Sequence, residues 1–253
     1  MINEPFAIGN SVIHRLDPRF KIIAAMAFSV AVAVVYGFAA LAAAFTASLL
    51  MLRLAGLELR SVARRLIPVN GFVLMFWLIL PFTAEGEVIF RMGPAVLYKA
   101  GIVLAAQITL KSNAILMALI ALVATMNFAT LGQALNQLKF PGKFVFLFML
   151  TYRYIFVIEE EHKKIWRAIK IRGFSPKTSL HCYKTYAYMI GMLFIRAAAR
   201  ADRVYQAMRC RGFQGQFHTL AEFQSSGKNW VFSILIVLCL FGIIALEWTA
   251  YGI

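Results

Sequence analysis

The chain has 253 residues, of which 61% are hydrophobic and 15% are charged, and its mean hydropathy is +0.74. A soluble domain carries about 25% charged residues, so this composition excludes an ordinary soluble protein and indicates a membrane protein with several spans. The formal charge of +15 would suit a nucleic-acid-binding protein. Lys and Arg also accumulate in the cytoplasmic loops of membrane proteins, however, and we expect no nucleic acid as a partner.

Four charge-poor regions are long enough to cross the membrane, which takes about 20 helical residues. Residues 22–52 contain no charged residue, and they suit either one long helix or two short spans. Gly37, near the middle of this region, favours two spans joined by a tight turn. The remaining predicted spans are residues 66–84, 100–126 and 229–246.

Two kinds of residue within these regions have a predicted position. Polar side chains in a span should face protein rather than lipid, and this applies to Gln107, Lys111 and Asn113. Tryptophan is typical of membrane interfaces, so we expect Trp230 and Trp248 near the two ends of the last span.

The distribution of positive charge predicts the orientation of the chain. Of the 26 Lys and Arg residues, 23 fall in residues 1–21, 53–65 and 127–228, whereas the loop at residues 83–99 contains two. Because loops rich in Lys and Arg stay in the cytoplasm, we expect a cytoplasmic amino terminus and five spans.

The expected fold class is therefore all-α, a polytopic membrane protein with about five transmembrane helices plus long cytoplasmic coupling helices. Residues 1–126 form an amino-terminal transmembrane region with about four spans. Residues 127–228 form a cytoplasmic coupling-helix region, and residues 229–253 contain the carboxy-terminal transmembrane helix.

The polar region is predicted to contain two long helices, at residues 143–173 and 179–212. Gly173 followed by Pro176 is a typical stop signal between them. The first helix should carry two ion pairs at i,i+4 spacing, Glu159 with Lys163 and Glu160 with Lys164. In the second helix one face collects small and apolar residues, which would permit a close helix crossing: Ala197, Ala201, Val204 and Met208.

The ends of these two helices carry one 12-residue pattern twice, 39 positions apart. We call residues 163–174 the first tip and residues 202–213 the second tip. In each tip an alanine precedes an arginine by four residues, on the same helix face, and Gly-Phe follows. The arginine can bind a partner carboxylate through two hydrogen bonds, and the glycine permits the left-handed backbone that ends a helix. Two copies of one helix end predict that a partner carries two copies of one docking site. The residues of this chain predicted to bind there are Ala168, Arg172, Gly173, Ala207, Arg211 and Gly212.

Sequence motifs for catalysis are missing from the chain. It has no G-x-x-x-x-G-K-[ST] segment, so we expect no ATP site. H-E-x-x-H and G-x-S-x-G are also absent, and the four histidines are scattered. We expect no catalytic residue and no metal-binding residue. A membrane protein with two matched helix ends but no energy source of its own suits a subunit that couples to an energy source on other chains.

The chain resembles the transmembrane T component of energy-coupling factor (ECF) transporters, the vitamin and metal-ion branch of ABC importers. The two Ala-x-x-x-Arg-Gly segments match the paired signatures of that family, and order and length fit over nearly the whole chain. Residues 150–156, followed by three glutamates, are most similar to the cobalt and nickel (Cbi-type) branch. The amino-terminal segment His-Arg-Leu-Asp-Pro-Arg-Phe-Lys is similar to the family's H-x-L-D-P-R-x-K motif, through His14, Asp17, Pro18 and Arg19.

The resemblance implies a non-catalytic subunit of the bacterial plasma (inner) membrane. Two ABC ATPase subunits, which bind the ATP, would each receive one tip, and a substrate-capture (S) subunit would pack on the apolar helix faces. Bilayer lipid and a small accessory membrane subunit are further implied partners. The implied cargo is cobalt or nickel, as in the supply of cobalamin biosynthesis, and no cofactor is expected in this chain. The alternative is a secondary transporter or channel without an ATPase, which needs ionisable groups within the spans, and Lys111 is the firm candidate.

Overall fold

The computed structural model describes residues 6, 9, 11–83, 87–92, 95–214 and 227–251. In these ranges the chain forms eight α-helices and one short antiparallel β-hairpin, and the predicted all-α membrane fold is confirmed. The helices are α1 (Pro18–Val34), α2 (Phe38–Leu54), α3 (Leu59–Thr83), α4 (Lys99–Leu122), α5 (Phe128–Gln137), α6 (Gly142–Ile171), α7 (Leu180–Cys210) and α8 (Gly227–Tyr251), and the strands are β1 (Val88–Met92) and β2 (Ala95–Tyr98).

The chain divides into two compact units. The membrane unit consists of Ile2–Ala134 and Phe223–Ile253, and the two-helix unit consists of Leu135–Glu222. Helices α6 and α7 lie entirely within the two-helix unit, as do both tips. Helix α5 crosses the boundary between the units.

Three of the described helices are long and apolar enough to cross a membrane. They correspond to Leu59–Thr83, Lys99–Leu122 and Asn229–Thr249. Helices α1 and α2 have 17 residues each, about 25 Å of helix, so the total of five spans stays a prediction. Trp230 and Trp248 are exposed near the two ends of α8, where the sequence places them.

Residues 22–52 form two helices, α1 and α2, and the break between them is extended backbone that includes Gly37. The backbone N–H groups of Tyr36 and Gly37 donate hydrogen bonds of 2.8 and 2.9 Å to the carboxylate of Glu247 on α8. The carbonyl of Tyr36 accepts a 2.8 Å hydrogen bond from the Gln107 side chain on α4. A helix break within a bilayer requires such partners, since lipid offers none to the backbone.

Lys111 and Asn113, the other two α4 residues that were predicted to face protein, also contact protein groups. The Lys111 ammonium donates a 2.9 Å hydrogen bond to the carbonyl of Ala33 and lies 3.9 Å from the centroid of the Tyr36 ring. Asn113 and Asn70 of α3 donate to each other through their side-chain amides, at 2.9 and 3.2 Å. These contacts join α4 to α1 and α3.

The core of the membrane unit surrounds α4, which packs against α1, α2 and α3, while α8 packs against α1 and α2. Small residues of α4 approach its neighbours closely, and Ala105, Ala114 and Ala118 are completely buried. The largest buried apolar side chains of this core are Phe28, Ile13, Leu41, Leu52, Leu122 and Val32.

Two elements and one boundary differ from the sequence expectations. The predicted outer loop contains strands β1 and β2, with Val88 paired to Tyr98 and Met92 to Ala95. Helix α5, which has 10 residues, was also not predicted. Helix α3 begins at Leu59, before the predicted span, since a helix can continue past the apolar residues into basic ones.

Candidate functional site

The first tip ends α6 in a Schellman motif. The Gly173 N–H donates to the carbonyl of Lys170 at 3.0 Å, and the Phe174 N–H donates to the carbonyl of Ile169 at 3.3 Å. Arg172 is the C-cap residue, and Gly173 has φ +81°. This pair of hydrogen bonds, with glycine in the left-handed region, defines the motif. The predicted glycine-capped helix end is confirmed here.

The second tip ends α7 with the same hydrogen bonds. The Gly212 N–H donates to the carbonyl of Arg209 at 3.0 Å, and the Phe213 N–H donates to the carbonyl of Met208 at 3.1 Å. Arg211 is the C-cap residue, and Gly212 has φ +78°. The repeated sequence therefore produces a repeated backbone.

The side chains of the two tips are also arranged alike. In the first tip the Lys170 ammonium lies 5.7 Å from the centroid of Trp166, and in the second the Arg209 guanidinium lies 6.0 Å from that of Tyr205. A Cβ atom added at either capping glycine would meet no atom within 4 Å, so the backbone angle is what requires glycine. All six residues predicted for the docking site are exposed: Ala168, Arg172, Gly173, Ala207, Arg211 and Gly212.

The two tips lie at opposite ends of α6. The ring of Phe213, which follows the second capping glycine, stacks on Phe146 near the start of α6, with 5.7 Å between ring centroids. Gly173 follows the other end of the same helix. At 1.5 Å per residue, this stretch of α6 holds the two tips roughly 40 Å apart.

Aromatic rings hold the first tip against the start of α7. Trp166 stacks on Tyr186 with 5.9 Å between ring centroids, and Phe174 meets Tyr186 edge-on at 5.7 Å. The ring of His162 also stacks on that of Trp166, with 6.4 Å between ring centroids. We call His162, Trp166, Phe174 and Tyr186 the aromatic clamp.

The loop between α6 and α7 is ordered around a buried cysteine. The Cys182 sulfur accepts a 3.4 Å hydrogen bond from the Lys177 N–H and donates one of 3.5 Å to the carbonyl of Ser175. The hydroxyl of Ser179 accepts from the Cys182 N–H at 3.3 Å and caps α7. The aromatic clamp and this loop fix one end of the helix pair.

Farther from the loop, α6 and α7 enclose an apolar groove of about 400 Å³. The predicted small-residue face of α7 lines it, through Ala197, Ala201, Val204 and Met208. These residues face α6 across the groove, and the close helix crossing that their small size permits stays a prediction. Leu150, Tyr154 and Ile158 are among the residues that line the α6 side.

An ion pair crosses from α6 to α7 at the end of the groove nearer the loop. The Arg196 guanidinium donates a hydrogen bond to the Glu161 carboxylate. This hydrogen bond is the main cause that lowers the pKa of Glu161 below its ordinary value, so the carboxylate is charged at neutral pH. Arg200 also lines the groove, close enough to lower the pKa of Glu161 further.

Of the two ion pairs predicted within α6, one is confirmed and one is wrong. Lys163 lies 2.6 Å from Glu159, and this hydrogen bond lowers the pKa of Glu159. Lys164 pairs with Glu161 at 3.8 Å, at i,i+3 spacing, and not with Glu160. Glu161 thus pairs with both Lys164 and Arg196.

The amino-terminal motif forms a junction within the membrane unit. Asp17 caps α1 by accepting a 3.0 Å hydrogen bond from the Arg19 N–H, and Pro18 is the first helical residue. The backbone N–H of Asp17 donates to the side chain of Asn229 at the start of α8, at 3.2 Å. Asp17 is only 7% exposed, so its carboxylate serves the fold at this position.

His14 closes the same junction. Its ring nitrogens lie 2.9 Å from the carbonyl of Phe6 and 2.6 Å from the hydroxyl of Ser11. Its own carbonyl accepts a 3.4 Å hydrogen bond from Lys21, which is 1% exposed. The motif residues thus lie together, away from both tips in the sequence, and Asn229 is a partner that the sequence did not identify.

Three helices long and apolar enough to span a membrane, together with a helix pair whose two ends share one pattern, define a polytopic membrane protein. A family model described as CbiQ, cobalt transport protein, matches residues 9–219. The chain belongs to the CbiQ family.

Curated relatives agree with this assignment. The chain is similar to the energy-coupling factor transporter transmembrane protein EcfT of Bacillus subtilis, with 30% identity over 226 residues and 85% of each chain covered. The EcfT of Thermosediminibacter oceani is 28% identical over 217 residues, covering 82% of each chain. The EcfT of Acidaminococcus fermentans is 29% identical over 265 residues, covering 95% of this chain and 94% of the relative. The predicted resemblance to the T component of ECF transporters is confirmed.

Proposed function

We propose that this chain is the coupling subunit of an ECF-type importer, which transmits the ATP-driven motion of two ABC ATPase subunits to a substrate-capture subunit. The observation that supports it most strongly is the pair of tips. They share one sequence pattern, one Schellman motif and one exposed arginine position, and they lie roughly 40 Å apart on one helix pair. Two like ATPase subunits would present two like surfaces, and this chain offers one tip to each.

The chemistry of the tips suits an acidic groove on each ATPase. In the described part of the chain, no hydrogen bond or ion pair engages the guanidinium of Arg172 or Arg211. Each guanidinium can therefore form a two-donor contact with a partner carboxylate. Its charge also complements the negative end of the helix dipole. Ala168 and Ala207, one turn earlier, leave room for the partner's backbone.

The substrate-capture subunit would bind the apolar faces of α6 and α7. Phe144 is 63% exposed on α6, and Phe194 is 75% exposed on α7. Apolar surface of this extent on a unit rich in Lys and Arg is typical of an interaction site. A small accessory membrane subunit and bilayer lipid are further partners in this proposal.

The proposed cargo is cobalt or nickel, chosen by the substrate-capture subunit and not by this chain. Two observations support it: the description of the matching family model and the Leu150–Phe156 segment with its three following glutamates. ATP would be bound by the ATPase subunits, and we propose no cofactor for this chain and no catalytic role. The proposed location is the bacterial inner membrane, with the amino terminus and both tips in the cytoplasm.

A secondary transporter that needs no ATPase is less well supported. Its firm candidate for an ionisable group within the spans was Lys111. That ammonium is bound to the carbonyl of Ala33 and the ring of Tyr36, a position that joins helices α1 and α4.

Reconstitution tests the proposed function. The isolated chain should hydrolyse no ATP, should copurify with its cognate ATPase subunits, and should support ATP-dependent uptake of radioactive cobalt or nickel once the substrate-capture subunit is added.

A cysteine in place of Ser175 should react with an impermeant reagent from the cytoplasmic side alone. Uptake by the chain without any ATPase would contradict the proposal, and labelling of position 175 from outside would contradict the orientation.

A further inference from the structure

The two helices of the two-helix unit are joined differently on the two sides of the Glu161–Arg196 ion pair. On the loop side the aromatic clamp joins α6 to α7, and the hydrogen bonds of Cys182 hold the connecting loop against the start of α7. On the other side the helices enclose the groove of about 400 Å³. The ion pair therefore marks the point where a tightly joined segment meets an open one.

The two tips lie on opposite sides of this point. The first tip follows Glu161 along α6 toward the loop, and Arg172 lies about 16 Å from the ion pair. The second tip follows Arg196 along α7 away from the loop, and Arg211 lies about 22 Å from it. The first tip thus belongs to the tightly joined segment, whereas the second tip lines the groove through Val204, Tyr205 and Met208.

We propose that the Glu161–Arg196 pair is the pivot of the two-helix unit, about which the second tip moves relative to the first. Glu161 and Arg196 are then positioning residues for coupling, and the proposal rests on the proposed function. The first tip is the fixed arm because Trp166 and Phe174 attach it to Tyr186 on α7. The second tip is the moving arm, and its motion changes the width of the groove.

The ion pair and the groove differ in the kind of contact they make, as a fixed point and a moving arm require. A charge-assisted hydrogen bond is directional and sets one fixed point. The groove is lined mainly by apolar side chains, whose contacts are not directional and can be exchanged for contacts with a partner. The stacking of Phe213 on Phe146 closes the far end of the groove. Two stacked rings can separate without leaving a buried charge.

Two single substitutions and their combination test the pivot in the complete transporter. For Glu161→Ala and Arg196→Ala we expect normal copurification of the ATPase and normal ATP hydrolysis, while cobalt or nickel imported per ATP falls about threefold, the factor for one partly exposed ion pair. The double variant should lose no more than the worse single variant, because both remove the same interaction.

Glu159→Ala is the matched control. It removes the same charge two residues earlier, but the partner of Glu159 is Lys163 on the same helix, so import per ATP should stay normal. The proposal is overturned if Glu161→Ala imports as efficiently as Glu159→Ala. It is also overturned if the Glu161 and Arg196 variants lose ATPase binding, since the pair would then act in docking or folding.

Distances between spin labels supply a readout that does not depend on transport. In a variant within the complex that lacks Cys210 and Cys239 but keeps the buried Cys182, labels at Lys170 and Lys184 should keep their separation when ATP is added. Lys143 lies near the start of α6 and Arg209 follows the groove residue Met208 on α7, and the separation of labels at these two positions should change by several ångströms. Equal changes in both pairs, or no change in either, would overturn the pivot. If the unaltered complex hydrolyses ATP but imports nothing, the proposed function fails, and these distances still decide the pivot.

Discussion

The membrane unit and the two-helix unit use long helices in opposite ways. In the membrane unit apolar side chains form a shared core, and Phe28, Leu41 and Leu52 are completely buried there. The two-helix unit contains the two longest described helices, of 30 and 31 residues. Among its described residues, the buried apolar side chains are Val145, Cys182 and Met189. One unit is stabilised by its own packing, and the other leaves most of its apolar surface exposed, where we propose that partners bind.

This difference predicts what substitutions do in each unit. A change in the membrane unit should alter the free energy of unfolding, because it disturbs contacts that the chain makes with itself. A change at the surface of the two-helix unit should leave unfolding nearly unchanged and alter binding to other subunits. The division is wrong if a substitution in the membrane unit changes binding instead of unfolding, or if one at the surface of the two-helix unit changes unfolding instead of binding.

The largest expected effect belongs to Gly101, where α4 crosses α3. A Cβ atom at Gly101 would overlap the backbone carbonyl of Leu80 and lie 2.7 Å from the Cα of Pro81. Because backbone atoms cannot turn aside as a side chain can, Gly101→Ala should lower the free energy of unfolding by about 3 kcal/mol. Thermal unfolding of the purified protein in detergent measures this loss.

Gly71→Ala is the control for this crossing. Gly71 lies on α3, and a Cβ atom there would meet nothing within 4 Å. Alanine is the better helix former, so this change should leave stability equal or slightly higher. Equal losses for the two variants would show that α3 and α4 do not approach as closely as Gly101 requires.

The second prediction concerns Arg172 and Arg211 and should appear in binding alone. Replacing either by Ala should weaken ATPase binding by about 2 kcal/mol, roughly thirtyfold, while the unfolding temperature stays unchanged. Arg→Lys should restore little, since an ammonium cannot reproduce the two-donor geometry of a guanidinium. Quantitative pull-down of the ATPase and metal uptake are the measurements.

Arg167 and Arg203 are internal controls for the tips. They are equally charged and lie within the same two segments, but neither adjoins a capping glycine. Arg167→Ala and Arg203→Ala should therefore weaken ATPase binding much less. If they cost as much as Arg172→Ala and Arg211→Ala, the tips act through their total charge, and the docking-site interpretation is wrong.

A smaller effect on stability is expected from the amide pair between α3 and α4. Asn70→Ala leaves Asn113 without one of its partners, and an unpaired amide in the interior costs about 1.5 kcal/mol. The double variant Asn70→Ala/Asn113→Ala should lose less than the two single losses together, because one interaction is removed in both. Strict additivity of the three unfolding free energies would show that the two amides do not bind each other.

The tips could be predicted from the sequence because a helix end is a local structure. A left-handed glycine followed by an apolar residue determines the Schellman motif within six positions, and both Gly173 and Gly212 adopt it. The cap of α1 is equally local, since Asp before Pro is a typical helix start. The contact of Asp17 with Asn229 joins residues far apart in the sequence, so no local pattern could indicate it.

The ion pair of Glu161 shows why the rest of the site could not be predicted. Three consecutive glutamates precede Lys163 and Lys164, and helical spacing alone favours Glu160 as the partner of Lys164. The partner of Lys164 is instead Glu161, which also pairs with Arg196, 35 positions away. The pairing of Glu161 with Arg196 depends on how α6 aligns with α7. The groove depends on the same alignment, because its two walls come from different helices.

The smallest expected effect comes from the capping glycines, and it tests whether the two tips bind independently. Gly173→Ala and Gly212→Ala place a Cβ atom in a left-handed backbone, which costs about 1 kcal/mol. The side chain itself would meet no neighbour, so the helix end can fray to relieve the strain. ATPase binding should then weaken about fivefold in each variant, and Asn, which tolerates this backbone, should weaken it less.

Because the two tips lie roughly 40 Å apart, the two losses should add as free energies, and the double variant should bind about 25-fold more weakly. Gly142→Ala and Gly191→Ala are the controls, since both glycines lie on α6 or α7 with open space around them and no positive φ. Titration of the ATPase against each variant measures the losses. A double variant no weaker than either single variant would mean that one tip alone carries the binding, which the equal geometry of the two helix ends does not predict.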